Sequence, residues 1–214
     1  MPREFSALEL RARDWVSFNK KLFFAVVCLI AFLLLYVQQS FIVAEIAAFK
    51  FLEGPEALLF QIFAALEFFA VPIVYALKFT VVGFILWTGC FMWGYKVTYT
   101  KCWQIAMIAE VVFFVPTILK IFWFMFVSTD PNYFEYQAFY PLSYMNFFDY
   151  QEVPKKYIYA NQALNVFEIL YWVVLTYGVD FAARKKKSVA NAIVATTYIP
   201  LFLFWLWFNI NITD

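Results

Sequence analysis

Residues 56–95 read EALLFQIFAALEFFAVPIVYALKFTVVGFILWTGCFMWGY, and the number of membrane spans turns on how this stretch is divided. A helix rises about 1.5 Å per residue, so about 40 residues reach well past the about 30 Å of a hydrocarbon layer. Either two spans break near Lys78, or an interfacial or re-entrant helix at 56–71 leads through a kink at Pro72 into one span at 73–93. Charge decides between these, because Lys and Arg near span ends collect on the cytoplasmic side. Two spans here would make six in all and place Lys96, Lys101, Arg184, Lys185, Lys186 and Lys187 opposite the basic N-terminal stretch. One span makes five, and those six join Arg3, Arg11, Arg13, Lys20 and Lys21, so that eleven of the sixteen basic residues share one side. The expected architecture is all-α, a polytopic bundle of five transmembrane helices in a single membrane domain.

Outward from that stretch the composition agrees. The 214 residues are 65% hydrophobic, 24% aromatic and 14% charged, whereas a soluble domain is about half apolar and about a quarter charged. Runs such as 22–37 and 111–119 are apolar on every side, which excludes the alternation of a membrane β-barrel. Net charge is +1 and no long basic stripe is present, so no nucleic-acid partner is expected. Cys28, Cys90 and Cys102 lack metal or redox spacing. The chain has no histidine, which argues against haem ligation and histidine-dependent catalysis. No cofactor is expected.

The remaining spans follow at 22–43, 103–127, 162–181 and 189–208, the third interrupted by Pro116. Ahead of them, Ser6 and Glu9 have capping-box spacing, so residues 1–21 are expected to form a short amphipathic helix on the cytoplasmic headgroups; the alternative is a basic tail that only sets topology. A cleavable signal peptide is not expected, because the apolar run continues through Val43 without a small-residue cleavage pattern. Residues 128–160 form an external segment rich in aromatics, and Phe134, Tyr136, Phe139, Tyr140, Tyr144, Phe147, Phe148 and Tyr150 make a candidate partner surface. Arg184, Lys185, Lys186 and Lys187 are candidate contacts for anionic lipid headgroups, or a topological anchor alone.

Charged side chains inside spans cost about 2.5–3.5 kcal/mol on insertion scales, which makes each a functional candidate. Glu67, Lys78, Glu110, Lys120 and Glu168 qualify. Glu67 and Lys78 are expected near the outer side, where Lys78 snorkels to headgroups. Glu110, Glu168 and Lys120 form the candidate intramembrane polar site, with two readings open for the glutamates: a proton or cation site, or carboxylates that orient neighbouring helices. Asn161, Gln162 and Asn165 enter the fourth span as caps or partner contacts. Gly83, Gly89, Thr88 and Cys90 make a small-residue patch for helix contact.

Three stretches carry a family likeness. They are the turn Gly94-Tyr95-Lys96 before a span from Trp103 through Pro116, the run from Trp172 to Gly178 before the basic break, and Ser188-Val189-Ala190-Asn191-Ala192 with Pro200 in the last span. Over residues 60–208 the chain resembles the Yip-type membrane family, known in eukaryotes as interactors of Rab GTPases and also found in bacteria. The resemblance implies five spans with a cytoplasmic N-terminus and an external C-terminus. Eukaryotic members bind their GTPase partners through a long N-terminal region, whereas about 21 residues precede the first span here, so a bacterial-type member is the better match. That branch brings no established reaction.

No phosphate-binding loop, nucleophile elbow or zinc-protease pattern is present, and an enzyme is not expected. The expected function is that of a non-enzymatic scaffold, assembly factor or accessory subunit of a larger membrane complex, in contact with lipids and with a protein partner or further copies of itself. The rival is a small proton- or ion-coupled transporter or channel. The short tails and the charge bias point to a bacterial inner membrane.

Overall fold

The computed structural model describes residues 19–46, 54–128, 132–183 and 187–213. The candidate cap at Ser6 and Glu9, and Arg184, Lys185 and Lys186, lie outside them, and the side chain of Lys187 is likewise not described. Eight α-helices are found among the described residues: α1 (Lys20–Phe41), α2 (Pro55–Met92), α3 (Tyr99–Glu110), α4 (Phe114–Phe126), α5 (Tyr133–Ala138), α6 (Lys155–Ala163), α7 (Val166–Ala183) and α8 (Lys187–Ile212). The only strand-like pairing among the described residues is one isolated bridge between Ser143 and Asn165. Five helical stretches are long and apolar enough to cross a membrane: Lys20–Glu45, Pro55–Met92, Tyr99–Phe126, Val166–Ala183 and Ser188–Ile212. The chain is an all-α membrane protein.

Each boundary has a local cause. Asn19 starts α1 by accepting from the backbone N–H groups of Lys21 and Leu22, which satisfies donors that the first turn leaves without partners. Gly94, at φ 74°, stops α2. Its N–H donates to the Phe91 carbonyl and that of Tyr95 to the Cys90 carbonyl, the pair of bonds that closes a helix on a left-handed glycine. The Gly-Tyr-Lys turn is therefore a helix stop.

The third span holds its proline by changing pitch. Pro116 has no N–H for the Val112 carbonyl, and residues Val111–Phe113 tighten into a 3₁₀ turn that joins α3 to α4. Thr117 donates its hydroxyl to the Phe113 carbonyl at 3.0 Å, so part of the disturbed backbone is satisfied from within. That turn lies directly after Glu110.

Helix α2 differs from the expected division. Instead of an interfacial helix at 56–71 and a span at 73–93, the structure has one helix of 38 residues with Pro72 inside it. Its two halves still live in different surroundings. The C-terminal half supplies Phe79, Val82, Leu86 and Cys90 to the core, whereas no buried residue comes from the N-terminal half. The core lies between that C-terminal half, α3, α7 and α8, around Ile105, Met107, Tyr171, Leu175 and Ile193. A smaller cluster of Ile42, Ile121 and Phe124 packs against Tyr136 and Phe139 of the aromatic segment.

Between helices in lipid the hydrophobic effect gives no net drive, so close packing and hydrogen bonds hold the bundle. The glycines mark where backbones approach. A Cβ on Gly83 would lie 3.1 Å from Trp103 Cα, and one on Gly89 would lie 2.7 Å from Thr197 Cγ2. A Cβ on Gly178 would overlap the Ile105 side chain. The small-residue patch of α2 thus meets two helices, α3 through Gly83 and α8 through Gly89. Gly178→Leu is expected to force α7 from α3 and cost about 1–3 kcal/mol, as overpacking does; a lowered melting midpoint in detergent checks it, and an unchanged one would refute this account of the packing.

Candidate functional site

Lys78 is where the polar interior begins. It sits on α2, eleven residues after Glu67, or about 16 Å of helix rise. Glu67 itself accepts from Gln39 Nε2 at 2.6 Å, near the far end of α1. Lys78 is turned to a partner in the bundle instead of being left free to snorkel: Nζ donates to Glu110 Oε1 at 2.7 Å. The Glu110 side chain is 3% exposed and that of Lys78 38%. In a low-dielectric interior neither charge is tolerable alone, and the pair joins α2 to the end of α3.

Around the ammonium stand two ring faces, Phe113 with its centroid 4.4 Å away and Tyr171 at 5.9 Å. The 3₁₀ turn after Glu110 brings Phe113 into place. Tyr171 packs on Phe113 at 5.0 Å and on Tyr198 at 5.4 Å between centroids. The Tyr198 hydroxyl donates to Glu168 Oε1 at 3.0 Å, and Trp172 Nε1 donates to the same oxygen at 2.8 Å. A chain of contacts thus runs from Glu110 through Lys78 and two tyrosines to Glu168. Two atoms inside the cluster, Glu110 Oε2 and the Tyr171 hydroxyl, are buried without a hydrogen-bond partner.

Glu168 is placed by the break that precedes the fourth span. Helix α6 ends at Ala163 and α7 begins at Val166. Asn165 caps the new helix by accepting from the Glu168 N–H at 2.8 Å. The freed backbone is paired sideways: Val166 N–H donates to the Leu142 carbonyl and Tyr144 N–H to the Leu164 carbonyl. Backbone groups freed at the mouth of a spanning helix need such partners. Leu142 takes φ 53° to make the pairing, a conformation that costs an L-residue about 1–2 kcal/mol. Gln162 fastens the same region by donating to the carbonyls of Gln137 and Ala138, and Asn161 Nδ2 points to Met145 Sδ at 4.0 Å.

The chain matches no family model, no curated protein and no solved structure. The candidate site therefore rests on geometry alone.

Of the residues expected at the intramembrane site, the structure gathers Glu110 and Glu168 and sets Lys120 apart. Lys120 Nζ lies 4.3 Å from the ring centroid of Tyr136, on the side of the bundle that meets the aromatic segment. Of the expected partner surface, Phe134, Tyr136, Phe139, Tyr140 and Tyr150 are half-buried, while Tyr144, Phe147 and Phe148 are exposed. Phe139 stacks on Trp123 and meets Phe124 edge-on. Burial first, and then the charges of Glu168 and Glu110, push the Tyr140 phenol above its ordinary value, so this segment is electrically in touch with the cluster. Tyr171 and Tyr198 went unnoticed in the sequence and Trp172 was read only as the start of the run to Gly178, although Glu168, Tyr171 and Trp172 have the i, i+3, i+4 spacing of one helix face.

If the pair is the fastening of α2 to α3, the two charges must depend on each other. Lys78→Met alone is expected to cost about 3 kcal/mol, the lower end for breaking a buried pair because Lys78 is partly open, whereas Lys78→Met with Glu110→Leu recovers most of it. Unfolding in mixed micelles across the four-member cycle checks the coupling, and additive losses would show two independent residues.

Proposed function

We propose that this protein is a non-enzymatic membrane scaffold or accessory subunit that works by lateral association, and that the N-terminal half of α2 is where a partner protein sits. One observation carries the reading. At about 1.5 Å per residue, 38 residues make a helix of about 57 Å, and fitting it within about 30 Å of hydrocarbon would take a tilt of about 58°. Spanning helices tilt by about 0–40°. The bond from Gln39 to Glu67 supports a boundary there, since Gln39 lies about 28 Å along α1 from Lys20. Residues 55–66 then extend about 18 Å further. They do not become polar: Leu58, Leu59, Ile62, Phe63 and Leu66 are 47–63% exposed. An apolar surface of this kind, beyond the lipid tails, calls for cover by protein or by the headgroup layer.

The eight aromatics of residues 134–150 support the reading less than their composition implied, because five are half-buried. The charge bias supports a cytoplasmic N-terminus and an external C-terminus in a bacterial inner membrane, with residues 55–66 on the outer side. The Yip-type likeness agrees with that topology.

A second reading has its own support. Glu110 Oε2 and the Tyr171 hydroxyl, buried and without partners, are what a proton- or ion-coupled transporter would keep ready in mid-bundle. In that case Glu110→Gln and Glu168→Gln abolish proton or cation flux into liposomes.

Purification of the tagged full chain in mild detergent, followed by mass spectrometry, separates the two. The association reading expects a stoichiometric partner that is lost with Phe63→Lys and Leu66→Lys while the melting midpoint of the chain holds. A solitary monodisperse protein whose flux depends on the two glutamates would replace that reading with transport.

A further inference from the structure

The break between α6 and α7 leaves a lateral groove of about 610 Å³, within the about 300–1,000 Å³ of small-molecule sites. One wall is the segment at Leu142 to Phe147, the other is α7 with Ile169 and Trp172, and Phe202 of α8 forms part of the lining. Phe147 is 83% exposed, and Leu142, Leu164, Val166 and Ile169 are also open. The groove therefore opens on the outside of the bundle, beside the apolar flank of a helix long and apolar enough to cross a membrane. Molecules that meet such an opening first, and in large excess, are lipids.

Its polar chemistry is narrow. Ser143 Oγ donates to the Tyr140 carbonyl at 2.8 Å, and Asn165 Nδ2 donates to the carbonyls of Gln162 and Ala163. Asn146 Oδ1 accepts from the Tyr150 hydroxyl at 3.1 Å. Each of these is turned to its own backbone or neighbour. Glu168 also lines the groove, and both of its side-chain donors, Trp172 Nε1 and the Tyr198 hydroxyl, go to Oε1. Oε2 receives neither. The groove thus presents a carboxylate oxygen beside an apolar trough, which repels an anionic headgroup and suits a cation with N–H donors.

We propose that this groove binds an amine-bearing phospholipid, phosphatidylethanolamine, with its ammonium donating to Glu168 Oε2 and an acyl chain lying along Ile169, Trp172 and Phe202. The juxtaposition selects by headgroup: phosphatidylglycerol brings only negative charge, and the quaternary nitrogen of phosphatidylcholine has no N–H to donate. The site is separate from residues 55–66 of α2 and does not depend on the association reading.

The test is native mass spectrometry of the full chain released from detergent and titrated with the three lipids, acyl chains matched. Phosphatidylethanolamine is expected to bind about tenfold more tightly than either of the others, and Glu168→Gln to remove that preference. Ile169→Trp, which fills the trough from an exposed position, is expected to abolish binding with the melting midpoint retained. Equal binding of the three lipids, no retained lipid, or binding that survives Ile169→Trp in a folded chain would overturn the proposal. A protein partner cross-linked into the groove in place of lipid would overturn it as well. Because the headgroup comparison uses the unmodified chain, it decides the matter even if a variant fails to fold.

Discussion

A lysine and a glutamate inside the apolar bundle bind each other, and much of the interior is arranged so that they can. Lys78 and Glu110, 2.7 Å apart, fasten α2 to the end of α3. Removing either from water is costly, and their attraction offsets that cost only if both are held in place. The 3₁₀ turn at Val111–Phe113 carries the Phe113 ring to the ammonium. Tyr171 closes the other side and connects to Tyr198 and Glu168. Glycines at 83 and 178 let α2 and α7 come within contact of α3. The polar centre and the close packing are thus parts of one arrangement, because a wider bundle would separate the pair.

Backbone breaks follow a related rule. In hydrocarbon a helix may be interrupted only where freed carbonyls and N–H groups find protein partners. The third span meets this within itself, through the tightened turn and the Thr117 hydroxyl. The break ahead of the fourth takes its partners from the aromatic segment, at Leu142 and Tyr144. That borrowing explains why a loop rich in Phe and Tyr is folded down onto the bundle: its backbone completes α6 and α7 while its rings cover Trp123 and Phe124. It also leaves the groove beside Glu168, since two chain segments joined by backbone bonds do not fill the space that continuous helix would.

Much of this was legible in the sequence, for reasons that differ by element. The five spans were visible because a bilayer demands long apolar runs, a requirement that needs no tertiary information. The stop at Gly94 and the disturbance at Pro116 were visible because glycine and proline act on their own backbone. The partner of Lys78 was not legible, because it lies thirty-two residues away and that is not a local property. The same applies to Glu168, whose second donor, Tyr198, comes from another helix. Pairings across helices are long-range facts, and a single chain read in order does not display them.

The length of α2 connects these levels. A proline at position 72 would ordinarily end or bend a helix where its N–H is missing, and the charge count favoured a division there. The structure keeps the helix going, yet the burial pattern changes at the same place: the half after Pro72 supplies core residues to three other helices, while the half before it supplies none. Helical continuity and membrane depth are therefore set by different forces. Continuity comes from the backbone and from the good helix-forming run of residues 56–71, in which Ala, Leu, Glu and Gln alternate with aromatics. Depth comes from Lys78, which must meet Glu110, and from Glu67, which meets Gln39 near the end of α1. On the reading proposed above, with those two points fixed, the N-terminal turns stand beyond the hydrocarbon. Their leucines and phenylalanines are exposed, and on that reading they are what a partner protein would cover.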